Sequence, residues 1–153
     1  LLYSHQMERF IYVYFYRNQY VVCDSSLNVI SRGRTIDTTT VAKLSPIKLK
    51  STGERKLAAK PYIVNLHSAV ANNLLFLHSP VKGRFQDSRT WKQASAIDVY
   101  DLSKNVYISS FYIFDEGRDK LSGIYATNTD LYVIVGTYLQ KYKLNKNHFP
   151  TIK

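Results

Sequence analysis

The sequence predicts an all-β protein assembled from the four-stranded antiparallel blades of a β-propeller. Three observations predict it. A hairpin pattern at residues 96–114 recurs earlier in the chain, and each of three units places a short apolar run directly after a polar turn. The composition also favours strands: it holds 13 Tyr and only 6 Gly, and aromatic and β-branched side chains pack well on a pleated surface. At 153 residues with 45% hydrophobic content, the chain is long enough for a core and too apolar to be disordered by composition.

The first unit spans about 1–40. Residues 1–3 read as the middle of a strand. Residues 10–16 are apolar on both alternating faces, which predicts a strand covered on both sides. Arg17-Asn18-Gln19 is a polar break, residues 20–24 the next strand, and Asp24-Ser25-Ser26 a turn. Asp and Ser suit that turn because their side chains bond nearby backbone groups. Residues 27–36 form the last strand of the unit.

A basic insertion occupies 41–60. Within it, Ser51-Thr52-Gly53-Glu54 separates two short basic runs, the pattern of a small exposed hairpin. Its charges exclude it from a core.

The second unit covers 61–114. Residues 62–70 are expected as a strand, Asn72-Asn73 as a turn, and residues 74–77 as a buried strand. A loop insertion at 80–95 carries Lys82, Arg84, Arg89 and Lys92 around Phe85 and Trp91. Residues 87–94 are expected to form a short helix capped by Asp87 or Ser88. The hairpin at 96–114 completes the unit.

The third unit, about 120–145, starts with a strand at 121–126. A turn at 128–130, a buried strand at 131–135 and a strand at 138–144 follow. The unit lacks an outermost strand.

The repeat carries the architecture. Val22-Cys23-Asp24-Ser25-Ser26-Leu27-Asn28-Val29 lies over Val99-Tyr100-Asp101-Leu102-Ser103-Lys104-Asn105-Val106 with five identities in register, and Tyr142 stands 42 residues after Tyr100. A period of roughly 40–45 residues with four strands per unit marks a propeller. A meandering β-sandwich is the alternative. Three units do not close a ring, because propellers have about 4–8 blades. The chain is therefore read as the C-terminal half of a six-bladed ring, completed by a missing N-terminal half or by a second copy. It lacks an initiator Met and a signal peptide, and is expected to be a piece of a longer protein.

The segments Ala96-Ile97-Asp98-Val99-Tyr100-Asp101-Leu102, Thr35-Ile36-Asp37-Thr38 and Leu131-Tyr132-Val133-Ile134-Val135-Gly136 resemble uncharacterised six-bladed propeller proteins of the NHL and TolB-like kind. The resemblance covers most of the chain outside the two insertions, and its motifs encode blade packing. It implies a bacterial envelope protein, periplasmic, outer-membrane-associated or secreted, that serves as a binding or scaffold module. It supplies no catalytic residues.

The formal charge of +10 fits either a solvated basic surface or attraction to an anionic partner such as lipid headgroups, acidic polysaccharide or nucleic acid. The lone Cys23 allows no intrachain disulfide. The longest apolar run is too short for a membrane-spanning helix. No phosphate-cradling glycine loop, zinc-spaced Cys/His cluster or Gly-flanked nucleophile serine is present.

His67 and His78 fall on neighbouring strands but have no third ligand nearby, so no metal or cofactor is expected. Asp98 and Asp101, three apart, point to opposite faces of a strand and do not pair for acid–base work. Asp24 and Asp101 read as turn residues, Cys23 as a packing residue, and the tyrosines as packing between blades. Trp91 with Lys82, Arg84, Arg89 and Lys92 forms the candidate ligand platform, weighed against Trp91 simply anchoring its loop. Two functions follow. The first is a non-enzymatic module binding a protein, peptide or glycan through its loops. The second is a hydrolase or lyase acting on an anionic glycan, with catalytic residues mostly outside this chain.

Overall fold

A computed structural model describes residues 1–145 together with His148 and Phe149. The fold is all-β: half the chain is strand, and the helix is a single short turn of structure. Three antiparallel sheets form in chain order. The first contains β1 (Leu2–Ser4), β2 (Arg9–Val13), β3 (Gln19–Cys23) and β4 (Val29–Arg34), each paired with the next. A detached hairpin follows, β5 (Pro46–Lys48) with β6 (Arg55–Leu57).

The second sheet contains β7 (His67–Ala71), β8 (Leu74–Ser79), β9 (Ala94–Asp101) and β10 (Val106–Phe114), with helix α1 (Ser88–Gln93) inserted before β9. The third contains β11 (Leu121–Ala126), β12 (Asp130–Val135) and β13 (Tyr138–Lys143).

The sheets stack face to face. Ile11, Tyr20 and Val22 of the first pack on Leu75, Leu77 and Tyr100 of the second. The opposite face of the second sheet meets the third, where Phe76, Ile97 and Val99 pack with Leu131, Val133 and Val135. The second sheet is therefore covered twice, and every residue of β8 and β9 is buried. These two inner strands are mostly apolar for that reason. The leading strands β1, β7 and β11 lie side by side. Ser4 donates its hydroxyl to the Asn72 carbonyl across the first gap.

The turns follow side-chain chemistry. Asp24 accepts from the Ser26 and Asn28 amides, and Asp101 accepts from those of Ser103 and Lys104. Asn72, between β7 and β8, has a φ of 53°, a left-handed conformation that Asn tolerates. Every strand residue of the hairpin β5–β6 is exposed.

Three expected strands are shorter in the structure. The run at 10–16 ends as a strand at Val13, and it is not covered on both sides: Tyr12 is 47% exposed. It belongs to an end sheet with only one packed face. Residues 14–17 leave the sheet because their carbonyls serve the next unit. Phe15 accepts from the Val64 amide at 3.0 Å, and Tyr14 and Arg17 accept from the Asn65 side chain at 2.6 and 2.9 Å. For the same reason the strand expected at 62–70 begins only at His67. The strand at 27–36 narrows to Val29–Arg34, since Leu27 has a φ of 64° and closes the turn.

Candidate functional site

A groove opens at the outer rim of the contact between the first and second sheets. Its volume is about 880 Å³, within the range of small-ligand sites. One wall is the segment 36–39, which leaves β4. Asn18, buried beneath it, donates its side-chain amide to the Asp37 carbonyl and its backbone amide to the Thr39 carbonyl. The Ile36 amide donates to the Tyr100 hydroxyl at 3.0 Å. Asp37 caps the Thr39 amide at 2.6 Å. These bonds make the wall a fixed structure rather than a loose loop.

The opposite wall is the loop at 79–86, closed by a hydrogen bond that the Gly83 amide donates to Gln86 Oε1 at 3.0 Å. Ala96 and Asp98 of β9, with Ser110 and Tyr112 of β10, also line the groove. Lys43, whose ammonium stands 5.0 Å from the Tyr62 ring centroid, lines it too.

Asp98 is a buried carboxylate facing the groove. It is 4% exposed and lies between Ile97 and Val99; Asp101, the other buried acid of β9, serves its turn. Burial holds its carboxyl above the usual range, and a hydrogen bond from Ser110 partly offsets that. The Tyr107 hydroxyl lies 2.8 Å from Ser110 Oγ. Since Ser110 commits its one hydrogen to Asp98, Tyr107 must donate to Ser110. The relay runs Tyr107 to Ser110 to Asp98. No other donor reaches the carboxylate from the described residues. An ionised carboxylate accepts up to about four hydrogen bonds, so Asp98 retains capacity toward the groove.

The basic residues of the insertion divide. Lys82 and Arg84 line the groove; Trp91, Arg89 and Lys92 do not. Lys82 Nζ donates to Ser88 at 2.6 Å, and the Arg84 guanidinium stands 5.5 Å from the Phe85 ring centroid. Trp91 sits half-buried on α1, and among the described residues no cation–π pair involves it. The helix has Asp87 as its cap, accepting from the Arg89 and Thr90 amides. It is tied elsewhere: Lys120 donates to the Lys92 carbonyl at 2.6 Å, and the Asp115 amide donates to the Gln93 carbonyl at 2.8 Å. Of the platform expected around Trp91, only Lys82 and Arg84 line the groove, and the bond from Lys82 to Ser88 ties that loop to the start of the helix.

Asp98 and Asp101 do point to different surroundings. Asp101 is spent on its turn and on the Asn73 side chain. His67 and His78 pair across β7 and β8 with rings stacked at 5.5 Å. Among the described residues no group of three or more metal-ligating side chains forms. No described helix is long and apolar enough to cross a membrane.

No family model matches this chain, and no curated protein matches it. Among solved structures, Hsv2 of Kluyveromyces lactis is similar at a TM-score of 0.28 and 12% identity. The alignment covers 95% of this chain and 62% of that one, so this chain spans less than two thirds of its length.

Proposed function

We propose that this chain is a run of three β-propeller blades acting as a non-enzymatic binding module, with the groove over Asp98 as its ligand site. The observation that carries the binding role is the groove itself. A buried carboxylate with unused acceptor capacity lines the same groove as Lys43, Lys82 and Arg84, and core packing alone does not favour burying such a group.

The blade reading draws on the stacking of three sheets with β1, β7 and β11 adjacent, the order expected of strands nearest a propeller axis. In this reading, further sheets close the ring, from a longer polypeptide or from a second copy. The missing fourth strand of the third sheet pairs with the free edge of β13. The sequence resemblance adds an envelope or secreted location to the proposal.

Sedimentation of the 153-residue chain tests the ring. Association through the end sheets is expected. A soluble monomer that unfolds cooperatively would sink the half-ring reading.

A second reading, an enzyme acting on an anionic glycan, draws on Asp37 and Asp98 both lining the groove. A carboxyl held above its ordinary range and a second carboxyl in the same groove are the groups glycoside hydrolysis uses. Release of new reducing ends from an acidic polysaccharide would favour it over simple binding.

A further inference from the structure

We propose that the groove over Asp98 binds an acidic saccharide, with sugar hydroxyls donating to Asp98 and the sugar's carboxylate or sulfate groups meeting Lys82, Arg84 and Lys43. This rests on the reading of the groove as a ligand site and names its ligand class.

The chemistry comes from the direction of the relay. Tyr107 and Ser110 spend their hydrogens toward Asp98. The end of the ligand that reaches Asp98 must therefore bring donors of its own. Hydroxyl groups and ammonium groups both qualify. An ammonium would share the groove with three cations, Lys43, Lys82 and Arg84, and would meet repulsion from them. Neutral hydroxyls meet none.

The rim sets the other end of the ligand. Lys82 and Arg84 are exposed and stand on the same loop, opposite the wall at 36–39. Their charges favour an anionic group near the surface, away from the buried carboxylate. A nucleic-acid strand would bring phosphates at every step and press some of them toward Asp98. A saccharide separates its charges from its hydroxyls within each ring. Aromatic faces complete the fit, since Tyr62, Tyr107 and Tyr112 line the same groove. Flat amphipathic rings suit the mixed apolar and polar faces of a sugar.

Binding of defined probes to the full chain tests this by calorimetry. The probes are an oligogalacturonate, a sulfated oligosaccharide, fully methyl-esterified oligogalacturonate as the neutral control, and polyglutamate as a polyanion without hydroxyls. At least one acidic saccharide is expected to bind, with the neutral control about tenfold weaker or worse. Asp98→Asn should weaken that binding about tenfold while leaving the melting temperature equal or higher, because it removes a buried charge. The Lys82→Ala, Arg84→Ala pair should weaken it similarly and flatten its salt dependence.

If polyglutamate binds as tightly as the sugars and Asp98→Asn has no effect, the saccharide proposal fails while the ligand-site reading survives. If none of the probes binds, the saccharide proposal is overturned. If probes bind but neither Asp98→Asn nor the Lys82, Arg84 pair changes any affinity, the ligand-site reading falls with it.

Discussion

Tyr20 is fully buried, and its ring lies over Gly33, where an added Cβ would stand 2.0 Å from the ring. Its hydroxyl reaches the Asn105 side chain at 3.3 Å, and burial pushes its pKa up to about 12. His78 shows the same physics in a group that titrates near neutrality. Burial, with His67 beside it, pulls its pKa down to about 4, and Asp115 partly opposes this. Its Nδ1 is buried without a partner among the described residues. The unfolded chain binds the proton more tightly, so stability is highest above about pH 6.5 and is lost as pH falls toward 4. A shift of this size corresponds to roughly 3 kcal/mol at most. Thermal unfolding between pH 7.5 and 4.5 should show this loss, and His78→Leu should lack that component. A wild-type curve that stays flat over this interval would show that protonating His78 does not oppose folding.

The hairpin β5–β6 tests energetics at the scale of an element. All six of its strand residues are exposed, and its ion pair between Lys56 and Glu54 spans 3.8 Å at the surface. Exposed pairs of this kind contribute about 0–1 kcal/mol. Replacing residues 46–58 by a short Gly-Ser link should leave the melting temperature nearly unchanged; a large drop would mean that the hairpin packs on a sheet.

The sequence displayed this element because a basic run flanking Gly53 has nowhere to bury its charges. It displayed the repeat equally well. Tyr100 faces the first sheet, and Tyr142, 42 residues on, faces the second through its pairing with Leu131. Cys23, the partner of Tyr100 in the repeat, points to the uncovered side of the first sheet. The groove was not legible in this way. Its walls come from segments more than 40 residues apart, and periodicity reports the burial of a strand, not what crosses its edge. Asp98 did leave a signal, an acid set between Ile97 and Val99. Its spacing to Asp101 argues only against a carboxylate pair and carries no information on burial. Trp91 is conspicuous by its type, yet it does not line the groove, and the Lys92 end of its helix is bonded to Lys120.

At the scale of the whole molecule, the stack of three sheets leaves two faces without a partner sheet among the described residues. Tyr3, Phe10 and Tyr12 lie on the free face of the first, with Tyr3 and Phe10 rings 4.9 Å apart. Tyr125, Ile134 and Leu139 lie on the free face of the third, at 66%, 45% and 70% exposure. Burying one large apolar side chain is worth roughly 1.5–3 kcal/mol. Several of them left in water at each end forgo much of the roughly 5–15 kcal/mol that stabilises a typical domain. Contiguous apolar surface of this kind drives association. Tyr12→Lys with Ile134→Lys places a charge at the centre of each face, where either side chain points away from the core. The double variant should keep the melting temperature of the parent to within a few degrees and sediment as a monomer where the parent associates. Association that persists unchanged in the double variant would mean that these faces are not what holds the copies together, and ring closure through the end sheets would have to be abandoned.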